Sequence, residues 1–532
     1  MSSDRTSRMV VLPTEIVHGI FEYLGYKELG QACQVCRRFY DIIYGSATLQ
    51  YKFEVAAPGL VEGPAAGRFD LRYKRDLVKR YRNAWDFPST KSFKYHTIPA
   101  DSTVRYGPTA QYCEGVIAIV VEPGHSIEFI LLGSPLHGIE EKRWKVPIRI
   151  SNECTLEDIS LCPAQDLFLV SFSYPEAGEH LYGIEHFQMS TGERHEKAYK
   201  DTLHIIPPHL NLILEDVYVV AYGCIIGMAI PFEIDDENGF RRAIFRMWNW
   251  HTGTLIMADT EILHYYWGIS FLDENHILRA ITWETDFNSE TVSNVGTLSV
   301  IDIRNGDEAF SKAIQFQLPS LSEGVEIDSM LVMEECSPPN IAKLTPGAIF
   351  EADKQSSIVA VEVSLASNAF DTLPTEFYAF QVIIRNSKLL ELATEAFASR
   401  TVVHWGEWGP MNTRVLELNP GSWSLFGARV MLIDDPVWLK FFDFNVLSGS
   451  SRENKENSRT CSRYLENNRS MASKGSGYFE RVVSSSLPYY DISTNIQHGV
   501  SSEDSFMLSD STILIFDWFQ SGRSAKVLTL QL

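Results

Sequence analysis

Residues 11–24 read Val-Leu-Pro-Thr-Glu-Ile-Val-His-Gly-Ile-Phe-Glu-Tyr-Leu, and residues 35–39 read Val-Cys-Arg-Arg-Phe. Pro13 suits a first helical position, because proline fixes φ and has no N–H group to lose there. The apolar residues that follow have helical spacing: Ile16, Ile20 and Leu24. Two more short helices are predicted before residue 48. Three short helices enclose little interior, so the pattern predicts that part of their apolar surface contacts a partner.

The composition is that of a globular protein whose net charge is unevenly distributed. The chain has 532 residues, of which 45% are hydrophobic and 21% charged, and the net charge is −22. Residues 1–90 hold 13 Lys and Arg against 10 Asp and Glu, so the remainder carries about −25. This charge argues against nonspecific nucleic-acid binding by the whole surface. The acidic part of the chain either serves solubility or favours basic partners.

The cysteines and the hydropathy pattern predict an intracellular protein of the cytoplasm or nucleus, with no membrane partner. The eight cysteines are scattered along the chain, and Cys33 and Cys36 lack the second pair that a zinc site needs. We therefore predict no metal and no cofactor. No apolar leader segment is present at the N-terminus. The longest uncharged stretch, Val217–Phe232, has 16 residues and is too short to span a membrane.

A connector helix is predicted over residues 69–85. Aromatic and apolar residues recur there at every fourth position: Phe69, Tyr73, Leu77, Tyr81 and Trp85. Basic residues lie between them: Arg72, Lys74, Arg75, Lys79, Arg80 and Arg82. This basic face is either solvated or a binding site for an anion or a partner.

From about residue 95 the pattern changes to short β-rich runs separated by turn residues. Segments 187–192, 248–253 and 301–306 share a strand pattern that ends in Gly, at intervals of 61 and 53 residues. Looser copies occur at 442–444 and 516–518. The pattern resembles degenerate propeller blades, although WD-type repeats are roughly 40–45 residues long. We predict seven blades.

The predicted fold class is α + β with several domains. A three-helix domain spans residues 8–48 and a helical connector spans 49–92. An all-β, seven-bladed propeller-like domain for target recognition spans 93–532. Residues 448–477 are polar, and we predict that they form a disordered insertion within the propeller-like domain.

The N-terminal segment resembles an F-box. The matching residues are Leu12, Pro13, Glu15, Ile16, Ile20, Leu24, Leu29, Val35, Cys36, Arg37 and Phe39. The family usually has Trp where Phe39 stands, and Gly19 is unusual inside a helix. Segments 49–60, 77–85 and 405–414 are similar to those of fungal F-box proteins of basidiomycete type.

The resemblance implies a substrate-recruiting, non-catalytic subunit of an SCF-type cullin–RING ubiquitin ligase. The F-box would dock on a Skp-type adaptor, and through it on a cullin, while the β domain would bind a target protein. The residues predicted to contact the adaptor are Leu12, Pro13, Ile16, Ile20, Leu24, Leu29, Val35 and Phe39. The alternative for these residues is an internal core. The alternative function is a propeller scaffold or lectin-like binder without a ligase role.

Motifs for catalysis are not found, so no catalytic residue is predicted. The segment around Ser126 lacks the second glycine of a nucleophile elbow, and the His residues do not cluster at ligand spacing. His186 and His195 are predicted to lie at the surface. Two aromatic clusters are candidates for target binding or for blade packing, and the residues with a possible binding role are Tyr266, Trp267, Trp405 and Trp408.

Overall fold

The structure of the chain is a computed structural model. It describes residues 12–86, 93–99, 110–113, 115–122, 126–134, 139–148, 151, 153–176, 179–199, 202–205, 212–214, 217–234, 241–263, 269–281, 295–333, 348–367, 377–397, 401–418, 423–435, 438–445, 461–466, 469–471, 478–481, 483–495, 505–508, 512–517 and 524–530.

The N-terminal region is helical. Its helices are α1 (Thr14–Glu22), α2 (Tyr26–Val35), α3 (Arg37–Gly45), α4 (Ala47–Ala56) and α5 (Leu71–Asp86). Pro13 precedes α1, and the Ser46 hydroxyl caps α4 by accepting a hydrogen bond from the Leu49 amide at 3.3 Å. The predicted connector thus contains two helices rather than one, because residues 47–56 are helical as well.

The remainder consists mostly of short antiparallel strands. The first ten are β1 (Leu60–Glu62), β2 (Phe93–Pro99), β3 (Ala110–Cys113), β4 (Val116–Glu122), β5 (Ser126–Leu131), β6 (Lys142–Pro147), β7 (Thr155–Cys162), β8 (Leu167–Glu176), β9 (Glu179–Gln188) and β10 (Leu203–Ile205). The next ten are β11 (Leu212–Leu214), β12 (Tyr218–Tyr222), β13 (Ile225–Ile234), β14 (Arg241–Asn249), β15 (Thr254–Leu263), β16 (Ile269–Phe271), β17 (His276–Ile281), β18 (Thr297–Asp302), β19 (Ile314–Gln317) and β20 (Val325–Met333).

The last strands continue from β21 (Phe350–Ala352) and are interrupted by two helices. They are β22 (Ile358–Ser367), β23 (Phe377–Arg385), β24 (Val402–Val403), β25 (Thr413–Leu418), β26 (Trp423–Phe426), β27 (Arg429–Asp435), β28 (Trp438–Asp443), β29 (Cys461–Glu466), β30 (Arg469–Met471), β31 (Val483–Ser485), β32 (Tyr489–Asn495), β33 (Ser505–Leu508), β34 (Thr512–Asp517) and β35 (Ser524–Leu530). The helices are α6 (Asn386–Phe397) and α7 (Trp405–Asn412).

These strands form seven sheets of four or five strands and two small sheets of two strands. The first six, in chain order, are β3–β6, then β7–β10, then β11–β15, then β16–β19 with β24, then β20 with β22, β23 and β25, and finally β26–β28 with β32 and β29. The seventh, here called the terminal sheet, joins β33–β35 to β2, so that both ends of the β region meet in it. β1 and β21 form one small sheet, and β30 and β31 form the other.

Hydrophobic clusters join these sheets in sequence. Each of six clusters contains buried side chains from two successive sheets, from the first sheet to the terminal sheet. Phe129 of the first sheet and Phe168 of the second, for example, pack edge to face at 5.3 Å. Sheets that pack face to face in chain order are the arrangement of a propeller. The region is therefore propeller-like, and the number of seven closed blades stays a prediction.

The repeated segments lie at equivalent places in the fold. Each of the three clear copies follows the third strand of its sheet, and its glycine has a positive φ: 73° at Gly192, 71° at Gly253 and 57° at Gly306. The prediction of a strand followed by a turn with glycine at positive φ is confirmed. The copy at 442–444 also follows a third strand, whereas the copy at 516–518 follows a second one.

The propeller-like region is all-β in class, as predicted. Two helices, α6 and α7, are inserted between β23 and β25, and Leu389 and Ala393 bury the α6 face against the fourth and fifth sheets. One prediction about the β region is wrong. The segment 448–477 is not disordered throughout, since residues 461–466 pair with β32 and residues 469–471 pair with β31. An edge strand offers free backbone groups, which even a polar segment can pair with.

The helices α4 and α5 are sealed against the sixth sheet and the terminal sheet. Tyr81 and Trp85 share a hydrophobic cluster with Phe441 and Leu508, and the Trp85 and Phe441 rings pack edge to face at 5.7 Å. β1 pairs with β21. Directly after β1, a Cβ at Gly63 would lie 2.5 Å from the Ala348 carbonyl oxygen. Only glycine allows this close approach.

Arg429 is a charged residue buried in this contact between the helices and the sheets, and it is 6% exposed. Its guanidinium lies 3.6 Å from the Asp443 carboxylate, which is its cross-strand partner. It donates to the Tyr81 hydroxyl at 3.1 Å and to the Pro58 carbonyl at 3.5 Å, and it lies 4.7 Å from the Trp85 ring centroid. One buried cation thus contacts a strand, a loop and α5 together.

Replacing Arg429 by Met should destabilise the protein by about 3 kcal/mol, because the buried Asp443 carboxylate would lose its cation. The measurement is the urea midpoint followed by tryptophan fluorescence. Arg304→Met is the control, since it breaks a shorter ion pair, 2.7 Å to Asp302, at an exposed position. The control should leave the midpoint nearly unchanged. Equal effects of the two substitutions would contradict the structural role of Arg429.

His186 and His195 do not lie at the surface as predicted. They are 0% and 6% exposed, and both pack on the Trp250 ring at the boundary of the second and third sheets. Neither ring nitrogen of His186 has a hydrogen-bond partner among the described residues. Burial, together with the smaller effect of the charges of Arg194, His195 and His251, lowers the pKa of His186 to about 3. This burial was not predictable, because an isolated histidine in a strand has no distinctive pattern.

This pKa shift predicts a loss of stability in mild acid. The unfolded His186 binds a proton near pH 6.5 and the folded one only near pH 3. Its contribution is therefore fully present above pH 6.5 and is lost as the pH falls from 6.5 towards 3. One pH unit below 6.5, the wild type should have lost about 1.4 kcal/mol that His186→Gln does not lose. Urea midpoints of both proteins at pH 7.5 and 5.5 check this, and parallel shifts would refute it.

Candidate functional site

The first three helices share a small core of their own. Its buried members are Val17, Phe21, Leu29, Phe39 and Ile43, and Leu49 of α4 packs with them. The Phe21 and Phe39 rings pack edge to face at 5.2 Å. Arg38 donates to the Leu12 carbonyl and so holds the segment before α1 against α3. These contacts fix the direction of α1.

α1 carries a second apolar face that this core does not cover. The exposed fractions are 52% for Ile16, 37% for Ile20 and 92% for Tyr23, and Pro13 is exposed as well. These four residues, here called the α1 stripe, are spaced by three or four positions and therefore lie on one side of the helix. Val17 and Phe21 lie on the adjacent side, about 100° around the helix, and are buried in the small core. An exposed apolar stripe on a helix that is already anchored by its other face is typical of a partner-binding surface.

The residues predicted to contact the adaptor fall into three groups. Pro13, Ile16, Ile20 and Val35 are exposed, with Val35 at 66%. Leu12 and Leu24 are half-buried against the small core. Leu29 and Phe39 are 0% and 5% exposed, which corrects their assignment: they belong to the core, because α2 and α3 turn these side chains inward. Adaptor contact by the exposed group stays a prediction.

Three exposed tyrosines in this region, Tyr23, Tyr40 and Tyr44, are not among the residues predicted to contact the adaptor. Tyr23 follows Ile16 by seven positions, a helical spacing that would have placed it on the α1 stripe. On α3, Tyr40 and Tyr44 stack at 4.3 Å, and the Arg37 guanidinium lies 5.4 Å from the Tyr40 ring centroid.

A polar groove runs between α1 and α3. Its lining includes Thr14, His18, Arg37, Arg38, Asp41 and Ser46. The His18 ring and the Ser46 hydroxyl are hydrogen-bonded at 2.7 Å, and Arg37 forms an ion pair with Asp41 at 3.0 Å. Lys52 of α4 donates to the Leu24 carbonyl at 2.7 Å and secures the turn between α1 and α2. The helical region thus offers an apolar stripe beside a groove that can accept polar groups.

The aromatic residues proposed for target binding are not brought together at a surface. Trp408 is 0% exposed and its indole donates to the Gln317 carbonyl at 3.0 Å, so it is a core residue and not a contact residue. Trp405 is half-buried against it at 5.2 Å. The other two, Tyr266 and Trp267, lie outside the described residues. The packing alternative therefore holds for Trp408.

Within the described residues, no group of three or more His, Cys, Asp or Glu side chains could hold a metal ion. Cys33 and Cys36 are half-buried and pack against the small core of α1–α3, and burial raises the pKa of the Cys33 thiol. No helix in the described ranges has the length and hydropathy needed to cross a membrane.

The comparison with protein families agrees with the helical region. A model described as F-box-like matches residues 9–51, which include α1–α3 and the first part of α4. No curated protein matches the chain. The F-box-like region is thus shown, and the fungal affiliation suggested by the other segments stays a prediction.

Solved structures match the chain only loosely. The polysaccharide lyase Uly1 is 7% identical with a TM-score of 0.36, and the match covers 81% of this chain and 91% of the lyase. Extracellular domains 1–2 of Drosophila Semaphorin 1b are 8% identical with a TM-score of 0.36, and the match covers 82% of this chain and 86% of the semaphorin chain. The β-propeller domain of the Trilobed protease from Pyrococcus furiosus is 8% identical with a TM-score of 0.26, and the match covers 69% of this chain and 79% of that domain. TM-scores this low carry no argument about function.

Proposed function

We propose that the chain is a substrate-recruiting, non-catalytic subunit of an SCF-type cullin–RING ubiquitin ligase. Its F-box-like region docks on a Skp-type adaptor, and through it on a cullin. Its propeller-like region binds a target protein. The observation that carries the proposal is the α1 stripe, because it lies within the residues that match the F-box-like model.

The two apolar faces of α1, one buried and one exposed, support docking on a partner rather than packing within the chain alone. If α1 only packed on its own chain, one apolar face would suffice, and Val17 and Phe21 already supply it. The second face leaves Ile16 52% exposed in water. Exposed apolar area of this kind is stabilised when a partner covers it, at roughly 25 cal/mol per Å² buried.

The contacts between the helices and the propeller-like region support the recruiting role. α4 and α5 are packed into the sixth and terminal sheets, and Lys27 of α2 donates to the Gln355 side chain at 3.4 Å. An adaptor bound to α1 would therefore hold the propeller-like region in one orientation. A fixed orientation is what presentation of a bound target requires.

Replacing Ile16 by Asp should weaken binding to a purified Skp-type adaptor roughly thirtyfold, since it places a charge in the centre of the apolar stripe. The fold should survive, because an acidic residue is favourable in the first turn of a helix. Leu255→Asp is the matched control, at 48% exposure on β15 against 52% for Ile16. The measurement is calorimetry or surface plasmon resonance with the full chain. Equal affinities of Ile16→Asp and wild type would contradict the proposal.

A capture experiment separates the ligase role from the alternative. Wild type and Ile16→Asp are captured from cells under proteasome inhibition. The proposal requires that both retain the same target proteins and that only wild type retains adaptor and cullin. If the wild type, like Ile16→Asp, captures no adaptor, the scaffold or lectin-like alternative replaces the ligase role.

A further inference from the structure

A second groove lies between α4 and α5, outside the three helices that carry the α1 stripe. It has a volume of about 1090 Å³, and its charged and aromatic lining residues are Glu54, Arg72, Tyr73, Arg75, Lys79 and Arg82. Leu71 and Val78 form part of its floor. Sequence analysis singled out the basic face of this helix, and the proposed function does not use it.

The acidic residues of the groove are already engaged within the chain. Glu54 accepts two hydrogen bonds from the Arg75 guanidinium. Asp76 forms an ion pair with Arg80 at 3.2 Å, and Asp70 accepts from the Tyr73 amide at 2.8 Å near the start of α5. The carboxylates of the groove therefore have partners and do not neutralise its remaining cations.

Two cations of the groove are available to a ligand. Arg72 and Lys79 are exposed, and neither has an ion-pair partner within the described ranges. They are seven positions apart on α5, two helical turns, and so lie on the same side of the helix. Cations about 10.5 Å apart along a groove can bind carboxylates about three residues apart in an extended segment, or two turns apart in a helical one.

An aromatic pair borders these cations. The Phe69 and Tyr73 rings stack at 5.1 Å, and the two residues remain 37% and 42% exposed. Tyr73 lines the groove itself. Exposed aromatic rings beside a cationic groove provide apolar contact area for a peptide as well as charge recognition.

We propose that the groove between α4 and α5 binds an acidic polypeptide segment of a partner protein. Arg72 and Lys79 contact its carboxylates and Tyr73 contacts its apolar side chains. The charge distribution of the chain supports this choice, since residues 1–90 carry more Lys and Arg than Asp and Glu while the whole chain has a net charge of −22. An acidic segment is therefore repelled by most of the chain and attracted to this basic helix. The inference does not depend on the adaptor, because neither cation lies on α1–α3.

A peptide fits the groove better than nucleic acid or a membrane does. A duplex or a lipid surface presents many negative charges over a wide area, which would also meet the acidic remainder of the chain. The groove is recessed between two helices and has only two available cations. This geometry suits a single narrow chain.

The test is binding of a fluorescein-labelled oligoglutamate peptide to the full chain, followed by fluorescence anisotropy at low and physiological ionic strength. Arg72→Glu with Lys79→Glu should weaken binding about tenfold at low salt, and Arg72→Gln with Lys79→Gln should weaken it by less. Lys142→Glu with Lys145→Glu is the control, because both lysines are exposed on β6, far from α5 in sequence. Circular dichroism shows that each variant keeps its fold.

The control should bind the peptide as tightly as wild type does. The proposal is overturned if the two double substitutions to Glu reduce binding equally, or if wild type shows no binding to oligoglutamate. It is also overturned if wild type binds single-stranded DNA or anionic vesicles more tightly than the peptide. Adaptor affinity is measured in parallel, so that failure of this proposal is distinguished from failure of the ligase proposal.

Discussion

The guanidinium of Arg429 is buried where α5 packs against the sixth sheet. A cation that is 6% exposed must be compensated locally, and here the Asp443 carboxylate, the Tyr81 hydroxyl and the Trp85 ring supply this compensation. These partners come from a strand of the sixth sheet and from α5. Separating α5 from the sixth sheet would take the Tyr81 hydroxyl and the Trp85 ring away from the guanidinium and would break up the hydrophobic cluster around them. The two regions therefore form one body, in which the F-box-like helices have a fixed place.

The apolar residues of α1 have a different role from those of α4 and α5. α4 and α5 use their apolar residues to seal against the sheets, so they stabilise the folded chain. α1 contributes Val17 and Phe21 to a small separate core and keeps Ile16, Ile20 and Tyr23 exposed. On α1, burial within the chain and availability to a partner are thus divided between two faces of one helix. A recruiting subunit needs this division, because its docking surface must stay open while its orientation stays fixed.

Much of this organisation could be predicted from the sequence, for identifiable reasons. Repeated local patterns were informative: the strands that end at Gly192, Gly253 and Gly306 have the expected turns, and the helices around residues 14–45 follow their apolar spacing. Contacts between distant residues were not predictable. Arg429 and Tyr81 are far apart in sequence, and the helical spacing that includes Tyr81 does not indicate which strand it contacts. Trp408 looked like a binding residue because aromatic clusters serve both cores and interfaces, and only its burial decides between them.

Hydrogen–deuterium exchange of the full chain, with and without a Skp-type adaptor, shows whether α1 is the docking surface. Adaptor binding should slow amide exchange in α1, at Thr14–Glu22, and near Val35. Exchange in α4, α5 and β27 should stay slow and unchanged, because these elements are already sealed together. Unchanged exchange in α1 on adaptor binding, or rapid exchange of α5 in the free chain, would contradict these expectations.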